Sequence, residues 1–137
     1  MSNTPDTPAR ERPLSPFTSI YRWPVTMATS ITHRITGVGM ALGLILVAWL
    51  VIALANGPGA YETFTDAAQS PLGRLVLFGF AWAVSFHLFN GIRHLAWDMG
   101  FGFKLPTASA TGIGVYVLSI LGAIGLFVLA YCKAGLL

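Results

Sequence analysis

Three apolar stretches, at about 31–55, 72–97 and 111–132, each reach the roughly 20 residues that a helix needs to cross a hydrocarbon core. No other feature constrains the 137-residue chain as strongly. With 55% hydrophobic and 9% charged residues, it carries more apolar surface than a water-soluble domain of this length can bury. The expected fold class is therefore all-α and integral to the membrane, with three transmembrane helices. The intervening sequences "NGPGAYETFTDAAQSP" (56–71) and "MGFGFKLPTAS" (99–109) have the glycine, proline and acid content of loops.

The polar segment 1–29 stands apart from the anchor at 30–137. It holds Pro5, Pro8, Pro13, Pro16 and Pro24 and lacks the apolar core of a secretory signal. It is expected to be retained, disordered at first, then extended along the membrane surface from about Arg12, where "RPLSPFTSIYRWP" mixes basic and interfacial aromatic residues. Arg10, Arg12, Arg22, Arg34, Arg93 and Lys104 fall on one side of the predicted bilayer, and Arg74 and Lys133 on the other. Six against two predicts a cytoplasmic N-terminus and a C-terminus on the opposite, periplasmic side. This asymmetry accounts for the formal charge of +3 without a nucleic-acid partner.

The polar chemistry lies in two short helical stretches. In "SITHRITG", Ser30, His33, Arg34 and Gly37, continued by Ala41, share one helical face. In "HLFNGIRHLAWD", His87, Asn90, Gly91, His94 and Asp98 repeat the same offsets. Polar side chains are costly against lipid, so both stripes should look inward to protein, cofactor or water. Gly37 and Gly91 allow two readings, close helix packing or room for a flat macrocycle. His87 lies seven residues, about 10 Å, deeper than His94, and residue counting puts His33 and Arg34 near the level of His94. An imidazole near mid-bilayer is either hydrogen-bonded to another helix or water, or bound to a metal such as haem iron. Counting along the first helix places Met40 at the depth of His87, and no second histidine of this chain there. A six-coordinate iron would then take its other histidine from another polypeptide. Cys132 stands alone and no CxxCH is present, so any haem must be held by coordination. Trp23 and Trp97 are read as interfacial anchors, Trp49 and Trp82 as packing or lipid-facing residues. Arg93, turned about 120° from the His87 face, is read as an anchor in the headgroups or a contact to other subunits. Asp98 is read as a helix-end carboxylate or a proton donor.

The segments "RPLSP…IYRWPVTMATSITHRITG" and "HLFNGIRHLAWD", with the pattern S-x-x-H-R-x-T-G paired to H-x-x-x-G-x-R-H-x-x-x-D, resemble the cytochrome b (C) subunit family of succinate dehydrogenase over roughly residues 12–103. The resemblance implies three helices forming half of a heterodimeric anchor bundle. A second anchor subunit would pair with it, and flavoprotein and iron–sulfur subunits would dock on the cytoplasmic side. It implies haem b with His87 as an axial ligand of the iron and the other histidine from the partner anchor. It implies Ser30 and Arg34 at the quinone site, and a haem propionate region at His33, Arg34 and His94. The membrane would be the bacterial inner membrane or its mitochondrial equivalent. Many members read S-P-H after the leading R-P, whereas Phe17 follows Pro16 here. Two other functions fit the composition: a purely structural, haem-free anchor, and a small transporter or proton channel using the intramembrane histidine. The latter usually carries inverted repeats or broken helices. The direction of catalysis, succinate oxidation or fumarate reduction, depends on centres outside this chain.

Overall fold

The computed structural model describes residues 22–134. Four helices follow one another: α1 (Val25–Asn56), α2 (Pro58–Gln69), α3 (Pro71–Asp98) and α4 (Leu105–Lys133). Helices α1, α3 and α4 are the three long enough and apolar enough to cross a membrane, as the hydropathy pattern predicts. The expected features of residues 1–21, including Arg10, Arg12 and Phe17, lie outside the described residues.

Local chemistry sets the boundaries. Pro24 is extended (φ −71°, ψ 150°), and its carbonyl accepts from the amides of Met27 and Ala28 at 3.0 and 3.1 Å. Proline cannot extend a helix towards its own N-terminus, so α1 starts there, ahead of the first apolar block. It stops at Gly57, whose φ of 94° favours glycine. Ser70 caps α3 by accepting from the Gly73 amide at 3.0 Å, with Pro71 in the first turn. At the other end, Gly100 (φ 89°) donates to Trp97 O at 2.8 Å and Phe101 to Ala96 O at 3.0 Å, a Schellman termination.

Two expectations about the connections are corrected. Residues 56–71 are not an irregular loop, because α2 occupies twelve of them. Gly57 and Pro58 punctuate its start and Ser70–Pro71 its end, so the loop-like composition lies mainly at the helix boundaries. Phe64 on α2 packs edge-on against Trp49, centroids 5.0 Å apart, while Glu62 and Asp66 stay exposed. The last helix begins at Leu105 rather than near 111, with Pro106 in its first turn.

The bundle's polarity is inverted relative to a water-soluble protein. Its surface is leucine, isoleucine and valine, with Leu42 61% and Leu75 68% exposed. Its buried positions are mostly small or polar: Ala108, Gly112, Val115, Ser119 and Ala123 on α4, and Thr29, Thr36, Gly43 and Ala53 on α1. Helix α3 is central and packs against both. Lipid is as apolar as leucine, so close backbone approach and interhelical hydrogen bonds must hold such helices together. The Thr32 and Tyr116 hydroxyls meet at 2.7 Å between α1 and α4, and Trp82 donates to Ser119 at 3.1 Å between α3 and α4. Phe86, fully buried, packs between Trp82 and Tyr116.

Gly43 marks the closest approach of α1 to an aromatic ring of α3. A methyl at this position would overlap the Phe80 ring. Gly43→Ala is expected to destabilise the detergent-solubilised protein by about 1–3 kcal/mol, the usual cost of overpacking. In a Phe80→Ala background the same change should be nearly neutral. Thermal unfolding of the four proteins in the double-mutant cycle checks this, and additive effects would show that the two residues do not compete for one space.

Candidate functional site

The seam between α1 and α3 brings the three histidines together. The His33 and His87 rings stack with centroids 3.7 Å apart and an interplanar angle of 16°. His94 lies 5.5 Å from His33, tilted, and meets Trp97 edge-on at 5.1 Å. His33 does lie near His94, but it is nearer still to His87, so the separation of about 10 Å from His87 that residue counting implies is corrected. Gly37, not Met40, is the α1 residue opposite His87: a Cβ there would come within 3.4 Å of His87 Cε1. A methyl there would sit in ordinary van der Waals contact with the ring, so Gly37 marks where the imidazole meets α1. At Gly91 a Cβ would meet nothing within 4 Å, so the two glycines of the stripes are not equivalent.

Three buried polar atoms at this seam have no hydrogen-bond partner among the described residues: Nδ1 of His33, Nδ1 of His87 and Nδ2 of Asn90. A buried polar atom left unpaired costs about 1–3 kcal/mol, so three along one seam mark the place where a ligand could supply partners. The histidines do not form a chelate. Stacked rings offer each other faces rather than nitrogens, and among the described residues no group of three His, Cys, Asp or Glu is arranged to hold a metal ion. What the site offers is separate imidazole nitrogens in an apolar setting, a donor set that suits axial ligation of a haem iron. The residues present fit that group.

Ser30 is half-buried and Arg34 exposed on successive turns of α1, and neither makes a hydrogen bond among the described residues. A hydroxyl and a guanidinium are thus uncommitted beside the histidines. The stripes do not turn wholly inward as expected. Ser30, His33, Gly37, His87 and Gly91 are half-buried and Asn90 is buried, whereas Arg34, Ala41, His94 and Asp98 are exposed. The site runs along one edge of this three-helix unit, with one flank open.

Arg93 departs most from the sequence reading. It is not on the surface of the bundle: it is 7% exposed and points into the interior. Its Nε donates to Thr111 Oγ1 at 3.1 Å and its Nη2 to the Ala108 carbonyl at 2.8 Å. Its Nη1 donates to both Thr29 Oγ1 and Asn90 Oδ1 at 3.3 Å. Trp97 lies against the guanidinium, 4.0 Å from Cζ to the ring centroid. The sequence signal for this was indirect: Thr29, Asn90, Ala108 and Thr111 are small or polar residues near the ends of apolar helices.

Comparison with known proteins gives a consistent picture. Residues 8–126 match the family described as succinate dehydrogenase/fumarate reductase transmembrane subunit. The chain is 38% identical over 121 residues to the succinate dehydrogenase cytochrome b556 subunit of Paracoccus denitrificans, covering 85% of this chain and 93% of that one. It is 38% identical over 120 residues to the mitochondrial succinate dehydrogenase cytochrome b560 subunit of Sus scrofa, covering 84% and 69%. Against the cytochrome b556 subunit of Rickettsia bellii the identity is 36% over 128 residues, 93% and 100% of the two chains.

Proposed function

The chain belongs to the family of succinate dehydrogenase/fumarate reductase transmembrane subunits, and we propose that it is a cytochrome b anchor subunit that shares haem b with a second anchor subunit and forms part of a quinone site. The observation that carries this reading is the His33–His87 stack opposite Gly37, with both Nδ1 atoms buried and unpaired. His87 is the ligand of the haem iron. It is the histidine furthest from the end of its helix, and its ring meets α1 at Gly37. His33, Arg34 and His94 form the propionate region, where imidazole N–H groups and a permanent cation suit carboxylates. A second histidine ligand would be supplied by the second anchor subunit, which would cover the open flank bearing Arg34, Ala41 and His94. Bound there, haem b would supply reversible one-electron exchange.

The quinone receives two electrons from the iron–sulfur subunit, which takes them from the flavoprotein, and two protons from the surface. Ser30 Oγ and the Arg34 guanidinium donate hydrogen bonds to a quinone carbonyl oxygen and stabilise the negative charge that builds up there. Both are uncommitted among the described residues, so binding requires no internal bond to break. The chain then lies in the bacterial inner membrane or its mitochondrial equivalent, N-terminus on the side of the soluble subunits and C-terminus opposite.

Replacing His87 with leucine in the assembled complex should abolish or strongly perturb the low-spin b-type spectrum, while His94→Leu leaves iron coordination intact. An unchanged reduced-minus-oxidised spectrum in the His87 variant removes it as ligand.

The quinone assignment makes a separable prediction. Ser30→Ala or Arg34→Leu should lower succinate:quinone turnover by about 10²-fold, the usual effect of losing one donor to a developing oxyanion. Succinate oxidation by a soluble artificial acceptor, which bypasses the membrane site, should stay near the wild-type rate. Normal quinone turnover in both variants excludes these residues from the site.

A further inference from the structure

Arg93 is a cation inside a bundle that faces lipid, and its partners are neutral. Two hydroxyls, a side-chain amide and a backbone carbonyl accept its hydrogen bonds, and it has no carboxylate partner among the described residues. Holding a charge in such surroundings is costly unless every donor is used. A purely adhesive contact could be made by a threonine or an asparagine. What a guanidinium adds is a rigid planar fork that fixes several elements relative to each other.

The elements it fixes are informative. Nη1 bridges Thr29 on α1 and Asn90 on α3. Thr29 directly precedes Ser30 and lies one turn before His33, and Asn90 lies three residues after His87. Thr29 and Asn90 are both fully buried. One nitrogen thus locks the height and rotation of the helix carrying Ser30, His33 and Arg34 against the helix carrying His87. The remaining bonds, to Thr111 and Ala108 O, tether the guanidinium to the start of α4, which carries no site residue. Gly112 lets α4 press against α1 beside this cluster: a Cβ there would come within 2.9 Å of Val25 Cγ1, while Thr29 Cγ2 at 3.4 Å and Arg93 Nη2 at 3.7 Å would be in ordinary contact.

We propose that Arg93 is a positioning residue for the quinone site: through Thr29 and Asn90 it sets the register of α1 against α3, and so the placement of Ser30 and Arg34 relative to His87. The proposal rests on the quinone-site reading above.

The test compares two nearly isosteric changes, each removing one acceptor from the same guanidinium, in the purified complex with all its subunits. Thr29→Val cuts the link to α1, and Thr111→Val cuts the link to α4. Thr29→Val is expected to raise the KM for quinone and weaken binding of a quinone-site inhibitor by about tenfold, because displacement of reacting groups by about 1 Å is enough for effects of this size. Thr111→Val should change both by less than about twofold, and Thr29→Ser, which keeps the hydroxyl, should behave like the wild type. Arg93→Lys, which keeps the charge but not the fork, should follow Thr29→Val in whatever fraction assembles. Haem content and artificial-acceptor turnover per assembled complex should be unchanged in all four. Wild-type quinone KM and inhibitor affinity in Thr29→Val overturn the proposal. Equal effects of Thr29→Val and Thr111→Val also overturn it, since loss of any bond would then suffice, as does an assembled Arg93→Lys complex with normal quinone binding. If Ser30→Ala and Arg34→Leu slow quinone reduction while Thr29→Val does not, only the positioning role fails. If none of them does, the quinone-site reading itself fails.

Discussion

Helices in hydrocarbon gain nothing by hiding leucine from lipid, so their association depends on close backbone approach and on hydrogen bonds between buried polar side chains. That constraint organises this protein. Leucine, isoleucine and valine cover the outside, while the seams hold glycine, alanine, serine and threonine. Along α4 the buried residues are all small except Val115, and they lie where α3 and α1 press closest. The polar pairs Thr32–Tyr116 and Trp82–Ser119 and the guanidinium of Arg93 then connect all three spanning helices. Polar atoms on the seams that remain unpaired stand out, and those of the three histidine and asparagine side chains concerned lie along α1 and α3.

The sequence made the spans legible because lipid imposes a length and a composition that soluble folds do not. It was less informative where local punctuation competes with hydropathy. The residues from Gly57 to Pro71 look loop-like because both ends are breakers, yet twelve of them form α2. The histidine pair was visible as a pattern, but its geometry was not. Counting residues places His33 and His87 at different depths, whereas side-chain rotamers and reach decide whether the rings meet. Arg93 was misread for a physical reason as well. An arginine five residues from a helix end has enough reach to snorkel, and only the acceptors Thr29, Asn90, Thr111 and Ala108 O, drawn from three helices, make the inward rotamer favourable.

The same packing separates the roles of the histidines. His94 is exposed and leans on Trp97, so its ring is held from outside the seam. His33 and His87 are half-buried and hold each other face to face. A face-to-face pair cannot direct two nitrogens at one metal between them, so the proposed function gives the pair two roles, His87 at a haem iron and His33 at the cofactor's periphery. On that reading a second ligand would come from a partner at the flank where Arg34, Ala41 and His94 are exposed.

On the proposed function these features serve a ligand, which a purely structural anchor would not need. Three buried atoms without partners cost about 1–3 kcal/mol each, and apolar side chains of similar volume on the same seam would remove the penalty while keeping the packing. A channel or transporter would need a route along the histidines, and such proteins usually interrupt a spanning helix at the binding site; α1, α3 and α4 run unbroken between their ends. Retaining paired imidazoles at a glycine, with an uncommitted serine and arginine one turn away, makes sense when a ligand completes the hydrogen bonds and coordination that the chain leaves open. On the proposed function, the stability forgone at this seam would return as binding energy for a cofactor and for a partner subunit that completes its ligation.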